Sequence, residues 1–488
     1  MPRSASPGSL SPSTASTASV VGFLVFIELC SGILQGAVPV VVPLIGNDLH
    51  VSAGDLNWVN SVFLLVAGIS VPLLSRLGDI YGHRRMIRIT MLIVVVGSVI
   101  VATANSFGVL LIGRALQGVF ACWLPLDFAI VRDRVQKERV GAAIGMLVGA
   151  LTLGATLGTL GMGVLSREVH NVHGLLLLPV GAILLCLPVA FRLIPESVTR
   201  AVCRIDWAGA ALLSSGLAAV MFGMAMAKNA GLGTTAGALA LGAVLLALFV
   251  RTELRAPQPL VDVRLMARPS MALLYGLSFL TGAVLYGAQT ANPSFFATPR
   301  SLGFGFGMSA FGISLLAAVP LVAMAGAGAG ADRVVRRFGP QRTLIGGFTL
   351  VAAAYLGMVF AHHAPWQLAV LGGVSGIGIG TAIATLPTLL MRHLPADQTG
   401  IGTGMYNTLK TLAGSMAGAA FAAAMNRLVV DAHGTHVASE SAYVTVWASC
   451  GALALLGVVV ARRVGRTRSR AEGRPAAEAA LVAAVAAD

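Results

Sequence analysis

The stretch ASVVGFLVFIELCSGILQGAVPVVVPLI, residues 18–45, contains a single charged side chain, that of Glu28. An α-helix of about 20 apolar residues is long enough to cross the hydrocarbon core of a bilayer. The stretch therefore predicts a membrane-spanning helix, and it is too long for the apolar region of a signal peptide. Residues 1–17 are rich in Ser, Pro and Thr, and they are expected to form a disordered tail before it.

The whole chain shares this apolar character. Of its 488 residues, 56% are hydrophobic and 11% are charged, and the mean hydropathy is +0.85. A soluble domain carries about 25% charged residues. This composition excludes an ordinary water-soluble enzyme and indicates that lipid surrounds most of the chain. Apolar runs recur to the end of the sequence and predict about fourteen membrane-spanning helices, centred near residues 34, 65, 95, 121, 153, 183, 218, 245, 282, 316, 354, 378, 417 and 454.

The charges indicate which side of the membrane each loop faces. The chain has 33 Lys and Arg against 19 Asp and Glu, a net charge of +14. An even number of spans places both termini on one side. If that side is cytoplasmic, the arginines collect in the inner loops, which is the positive-inside distribution of membrane proteins. The basic excess therefore indicates orientation, and no nucleic-acid partner is expected.

Two pairs of similar passages indicate an internal repeat. RDR at residues 132–134 and GAAIGM at 141–146 resemble MRH at 391–393 and GIGTGM at 400–405. GD at 78–79 is echoed by AD at 331–332. Weak symmetry of this kind is typical of transporters built from two related halves, whose substrate site lies between the halves near the membrane midplane.

Several motifs carry a resemblance to a known family. LGDIYGHRR at 77–85 resembles the loop signature of the major facilitator superfamily, and GRALQG at 113–118 resembles the Arg-Gln-Gly motif of its proton-coupled drug exporters. IDWAGA at 205–210 and PLVD at 259–262 resemble the fourteen-helix drug:proton antiporter subfamily.

The resemblance implies an all-α polytopic membrane protein with the major facilitator fold. It implies an N-terminal six-helix bundle at 18–200, two linking transmembrane helices at 201–262, and a C-terminal six-helix bundle at 263–461. A basic cytoplasmic tail at 462–488 would follow. The GATLG passage at 154–158 lacks the Pro that the antiporter motif usually has, and Leu34 stands where the first span usually has an acidic residue.

Two carboxylates within apolar runs, Glu28 and Asp127, are the candidates for proton coupling. A charge near the bilayer centre costs about 2.5–3.5 kcal/mol on insertion scales, so such residues are functional candidates by default. Asp127 could instead pair with Arg132 and Arg134. The resemblance implies a role in proton transfer for Arg114; the alternative is a structural tie to a carbonyl or to Gln35.

Charged residues near the two echoed loops are the candidates for gating. The resemblance implies that their contacts hold the halves closed on the cytoplasmic side and break as the halves rock. They are Asp79, Arg84, Arg85, Asp332 and Arg333. Candidate substrate-lining residues are the polar and aromatic side chains within spans, each of which could instead be an interhelical hydrogen-bonder: Gln35, Asn60, Trp123, Tyr286, Gln289, Asn292 and Asn407. Such a cavity suits amphiphilic or cationic organic compounds.

Together these observations predict a proton-coupled secondary transporter that exports small organic compounds, drugs or antibiotics, by alternating access. We expect no cofactor and no metal, because the proton gradient supplies the energy and no phosphate-binding loop is present in the sequence. The expected partners are the substrate, protons and lipids, around a monomer in a bacterial inner (plasma) membrane. A proton-coupled importer and a lipid-moving protein are the alternatives.

Overall fold

The computed structural model describes residues 14–194, 206–226, 232–256, 259, 261, 263–393, 399–432 and 435–485. It is almost entirely helical. The helices are α1 (Thr14–Asp48), α2 (Asn57–Tyr81), α3 (His83–Ala102), α4 (Phe107–Gly118), α5 (Trp123–Arg134), α6 (Lys137–Leu165), α7 (Val172–Pro188), α8 (Trp207–Met226), α9 (Leu232–Glu253), α10 (Val263–Ala267), α11 (Pro269–Gly287), α12 (Ala291–Ala297), α13 (Ala310–Phe338), α14 (Pro340–Phe360), α15 (Pro365–His393), α16 (Thr399–Arg427) and α17 (Glu440–Val485).

Thirteen helices of the described chain are long and apolar enough to cross a membrane. Helix α4 continues through a 3₁₀ turn into α5 as one span, Phe107–Arg134, and α11 and α12 together form another, Met271–Ala297. Helix α16 is less apolar and is not among the thirteen, but its 29 residues pack between α2 and α11. The prediction of an all-α polytopic membrane protein with about fourteen spans is confirmed.

Two local features differ from the sequence expectations. Helix α1 begins at Thr14 and so takes in the last residues of the tail predicted to be disordered, because the apolar run continues the helical hydrogen bonding upstream. A short antiparallel hairpin, β1 (Val429–Ala432) and β2 (Thr435–Ala438), lies between α16 and α17. Its strands alternate too briefly to be read from the sequence.

Because successive spans run in opposite directions, their connections alternate between two faces of the bundle. We name the face that carries connections 49–56, 103–106, 166–171 and 298–309 the Asp55 face. The opposite face, which carries the turn at Gly82 and the turn at Gly339, is the Gly82 face.

The apolar core is organised differently at the two faces. Near the Gly82 face the N-terminal helices bury one cluster, which includes Leu126, and the C-terminal helices bury another, which includes Leu390. Of the described N-terminal helices, α2 is the one that packs against this second cluster, to which the linking helices α8 and α9 also contribute. Near the Asp55 face a single buried cluster combines residues of both halves, such as Val41 and Phe295. The halves are thus fused at one face and have separate cores at the other.

Polar contacts join the halves at the same face. Asn426 donates from Nδ2 to Asp55 Oδ1 at 2.6 Å, and Ser52 Oγ donates to Asn426 Oδ1 at 2.9 Å. Further into the bundle, Ser415 Oγ donates to the Ser61 carbonyl at 2.8 Å. These bonds close the Asp55 face.

The structure supports the internal repeat. Gly82 (φ 102°) joins α2 to α3, and Gly339 (φ 81°) joins α13 to α14, each as a one-residue link in a backbone conformation that glycine tolerates. The following helix also crosses its neighbour through paired glycines in both halves. A Cβ on Gly113 would meet the Gly97 carbonyl, and a Cβ on Gly378 would meet the Gly347 carbonyl.

The linking helices lie over the boundary of the halves. Asp206 caps α8 by accepting from the Gly209 amide at 2.7 Å. Met221 on α8 shares a small apolar cluster with Trp58 on α2 and with Ala419 on α16. At the Gly82 face, Arg76 on α2 donates to the Pro259 carbonyl at 3.0 Å. The linker therefore contacts both halves.

Candidate proton-coupling and substrate sites

The two predicted membrane carboxylates lie side by side. Glu28 on α1 is 1% exposed and Asp127 on α5 is 0% exposed, and their carboxyl groups lie close enough to interact electrostatically. They lie inside the N-terminal bundle, among the apolar residues of its Gly82-side core. The sequence placed them in different spans, and the fold brings them together.

The surroundings give this pair very few hydrogen-bond donors. Ser31 Oγ donates to Glu28 Oε2 at 3.2 Å. Within the described chain, no protein donor reaches Glu28 Oε1 or either oxygen of Asp127. Two carboxyl groups can hydrogen-bond to each other only if one carries a proton, and two adjacent charges in a low-dielectric interior are strongly disfavoured. A single proton on the pair would relieve this repulsion.

The alternative pairing of Asp127 is not formed. Arg132 and Arg134 lie further along α5 and are exposed, whereas Asp127 is fully buried against Glu28. Because the arginines follow Asp127 on the same helix, they were plausible partners. The helix directs their side chains to the surface and that of Asp127 to the interior.

Arg114 forms a separate buried cluster. Its Nε donates to the Val59 carbonyl on α2 at 3.0 Å, and its Nη1 donates to Gln117 at 2.7 Å. The guanidinium lies 4.1 Å from the centre of the Phe63 ring. A carbonyl partner was one predicted alternative, but it comes from α2 and not from the helix of Gln35. No carboxylate of the described residues pairs with Arg114.

The predicted gating residues make contacts within their own halves. Asp79 lies 3.1 Å from His83 Nε2, and Arg84 donates to the Phe191 carbonyl at 3.2 Å, while Arg85 is exposed. In the C-terminal half, Asp332 pairs with Arg336, and both are exposed, as is Arg333. The contacts of Asp79 and Asp332 thus lie within single halves.

Three of the predicted lining residues meet at the boundary of the halves. Asn60 on α2 donates from Nδ2 to Gln289 Oε1 at 3.1 Å and to the Tyr286 carbonyl at 3.4 Å. Tyr286 also packs against the N-terminal core. These side chains join α2 to α11 near the middle of the bundle.

The other predicted lining residues have different surroundings. Trp123 is fully buried inside the N-terminal bundle, where its Nε1 donates to Thr90 at 2.9 Å. Asn292 accepts from Trp447 at 2.9 Å within the C-terminal half. Both residues make the interhelical hydrogen bonds that were the alternative to a substrate-lining role. Gln35 and Asn407 are half-buried.

Sequence reasoning missed Ser31 and Tyr406. Ser31 lies one turn from Glu28 on α1, so its spacing is a usable signal for a hydrogen bond to that carboxylate. Tyr406 lies one turn before Lys410 on α16, and its ring faces the lysine.

A bundle of membrane-spanning helices arranged in two related halves is an architecture typical of membrane transporters. The family model described as Major Facilitator Superfamily matches residues 24–419 and, in a second match, residues 280–486. The chain belongs to the major facilitator superfamily. It is a multi-pass protein of the cell's inner (plasma) membrane.

The relatives found by sequence include bacterial proteins named for export or drug efflux. The chain is 26% identical over 402 residues to the tetracenomycin C resistance and export protein of Streptomyces glaucescens, covering 80% of this chain and 72% of that protein. It is 28% identical over 417 residues to the drug efflux pump JefA of Mycobacterium tuberculosis, covering 80% and 76%.

Solved structures share the fold. A POT family transporter in complex with 5-aminolevulinic acid matches with a TM-score of 0.68 at 13% identity, over 92% of this chain and 99% of that one. The human organic anion transporter MFSD10 (TETRAN) matches with a TM-score of 0.61 at 16% identity, over 91% and 99%. At these identities the likeness concerns the fold alone.

Proposed function

We propose that the protein exports small organic compounds in exchange for protons by alternating access. The observation that carries the proposal is the buried contact between Glu28 and Asp127. A carboxyl pair that shares a proton while dry, and that loses it when water enters, links protonation to the conformation of the surrounding helices.

The chain's own groups account for the proton step. While the pair is buried, one proton lies between the Glu28 and Asp127 oxygens, and Ser31 orients Glu28. Loss of that proton leaves two carboxylates in contact, which repel each other and require hydration. Deprotonation therefore favours a conformation in which water reaches α1 and α5, and reprotonation favours the buried one.

The shape of the molecule supports alternating access. The halves share one apolar core at the Asp55 face and have separate cores at the Gly82 face, an arrangement that favours access from the Gly82 side. The arginine-rich connections lie at the Gly82 face, so we assign that face to the cytoplasm. In this orientation the arrangement of the cores supports a state that receives substrate from the cell interior.

The relatives support the direction of transport. One is named a resistance and export protein and another a drug efflux pump. The altered GATLG passage at 154–158 was the reason to consider an importer. In the structure its two glycines pack against α1, so the passage serves close helix contact without a proline. The proposed carrier acts as a monomer, without a cofactor. Each inward proton contributes about 2.3 kcal/mol per 100 mV of membrane potential.

The test uses inverted membrane vesicles from a host lacking its own drug pumps. Respiration acidifies the vesicle interior, and a transported drug should then dissipate the pH gradient, recorded as dequenching of an acridine dye. A panel of antibiotics identifies a transported compound. Glu28→Gln and Asp127→Asn should each lower the drug-driven dissipation by about tenfold or more, whereas Glu168→Gln, an exposed glutamate at the Asp55 face, should leave it unchanged.

The rival functions give different results. An importer would accumulate solute in energised right-side-out vesicles and not in inverted ones. A lipid-moving protein would transfer a fluorescent phospholipid between leaflets of reconstituted liposomes, with no drug-driven proton movement. Normal dissipation in both acid variants would disprove the assignment of coupling to this pair.

A further inference from the structure

A lysine lies within the C-terminal bundle near the middle of its helix. Lys410 belongs to α16 (Thr399–Arg427) and is half-buried, and its ammonium lies 5.2 Å from the centre of the Tyr406 ring. No carboxylate of the described residues pairs with it. An ammonium in a membrane segment is costly, and a cation–π contact offsets only part of the cost. The site is therefore short of negative charge.

A buried hydroxyl group without a hydrogen-bond partner lies near the lysine. The Tyr406 side chain is 3% exposed, and its hydroxyl has no hydrogen-bond partner among the described residues. A buried donor without an acceptor costs about 1–3 kcal/mol. The Tyr286 hydroxyl lies close enough to interact electrostatically with that of Tyr406. The Lys410 ammonium lies over the Tyr406 ring, the Tyr286 hydroxyl is within electrostatic range of Tyr406, and all three groups can donate.

These donors lie at the boundary of the halves. Gly282 allows α11 to approach the backbone of Lys410, and Gly414 leaves room for the Tyr286 ring beside Leu64 of α2. The bond between Asn60 and Gln289 crosses the boundary one turn away. The group is therefore located where a transporter with two halves binds its substrate.

We propose that Lys410, Tyr406 and Tyr286 form a subsite for an anionic oxygen, phenolate or carboxylate, on an aromatic substrate. Such an oxygen would neutralise the ammonium and accept from the hydroxyls, while the rings pack on its aromatic frame. The inference rests on the proposed export function and narrows its substrate class. Cationic amphiphiles, expected from the sequence, would meet a like charge here.

The acid pair does not compete for this role. Glu28 and Asp127 lie inside the N-terminal bundle, on α1 and α5, whereas Lys410 lies on α16 of the other half. Proton binding and recognition of the anion are thus assigned to different halves of the molecule. They can be tested independently.

The test compares two dyes that share a xanthene ring system. Fluorescein carries a phenolate and a carboxylate at neutral pH, and rhodamine 123 is a cation with an esterified carboxyl. Binding to the purified full-length protein in detergent is measured by fluorescence anisotropy. Wild type should bind fluorescein more tightly. Lys410→Met should weaken fluorescein binding by about tenfold or more, as for loss of one charge-assisted hydrogen bond, and Lys410→Arg should retain most of it.

Three results would overturn the proposal: no fluorescein binding by wild type, equal binding of both dyes, or unchanged fluorescein binding in Lys410→Met. If Lys410→Met does not elute as a single species in size exclusion, Tyr406→Phe, which removes one oxygen atom, provides the same comparison. Drug-driven proton movement without a Lys410-dependent preference for fluorescein refutes this inference alone. Lys410-dependent fluorescein binding without any proton movement refutes the coupled-export function alone.

Discussion

Asn426 of α16 donates a hydrogen bond of 2.6 Å to Asp55, which precedes α2, so that an amide and a carboxylate join the two halves at the Asp55 face. The Ser52 hydroxyl lies 2.9 Å from Asn426 Oδ1 and 2.7 Å from Asp55 Oδ2, and it can donate its one proton to either oxygen. A Cβ on Gly54 would collide with the Asn426 side chain, so the glycine permits the close approach. This network is positioned to hold the face closed.

We predict that Asn426→Ala shifts the resting population towards opening of the Asp55 face. A net loss of about 1 kcal/mol changes a two-state ratio by about fivefold. Spin labels on Glu168→Cys and Ser441→Cys, both exposed at this face, should report longer distances in electron double resonance. Thr103→Ala, also exposed there, serves as the control, and an unaltered distance distribution in Asn426→Ala would contradict the prediction.

The acid pair should behave as a unit. If Glu28 and Asp127 share one proton, removing either carboxylate removes the shared site. The double variant should then dissipate the pH gradient no less than either single variant, and all three should lie about tenfold or more below wild type. The measurement is the drug-driven dequenching in inverted vesicles. Additive losses would show that the two carboxylates act independently.

Arg114 should be mainly a positioning residue for α4 against α2. Arg114→Lys loses the forked geometry that serves Val59 and Gln117 together. We expect a lower melting temperature in size-exclusion thermal assays, with a loss of about 1–3 kcal/mol. Proton movement per transported drug should persist. A variant with normal stability that cannot couple would instead support the proton-transfer role that the family resemblance implies.

Close packing between α1 and α6 gives a further prediction. A Cβ on Gly154 would collide with the Leu29 carbonyl, and one on Gly36 with the Ala155 carbonyl. Gly154→Val should therefore destabilise the protein by about 1–3 kcal/mol through overpacking. Gly145→Ala is the matched control on the same helix, because a Cβ there has open space and alanine favours the helix. Equal melting temperatures for the two variants would contradict the packing.

How much could be predicted from the sequence depends on the range of the interaction. The membrane-spanning helices could be predicted from apolar runs, because each helix depends on the local composition of the chain. The less apolar α16 is the span that falls short of a membrane helix by hydropathy, and it carries Lys410 and Asn407. The polar residues that lower the hydropathy of α16 are also the residues that make it a candidate for substrate binding.

The candidate site was predicted residue by residue but not as a set. Glu28 and Asp127 were found because a carboxylate in an apolar run is conspicuous. That they touch follows from packing of α1 against α5, which no local pattern encodes. Trp123 was predicted to line the substrate cavity, but it lies inside the N-terminal bundle. An aromatic residue in a span can face either the interior of one bundle or the boundary of the halves, and local sequence does not distinguish the two.

The shared apolar cluster at the Asp55 face has a thermal consequence. Separating the halves there would bring side chains such as Val41 and Phe295 into contact with water. Hydration of apolar surface increases heat capacity, so the free energy of that step is a curved function of temperature. The turnover of the carrier should accordingly deviate from a straight Arrhenius line, because the hydrophobic penalty for opening changes as the membrane warms or cools.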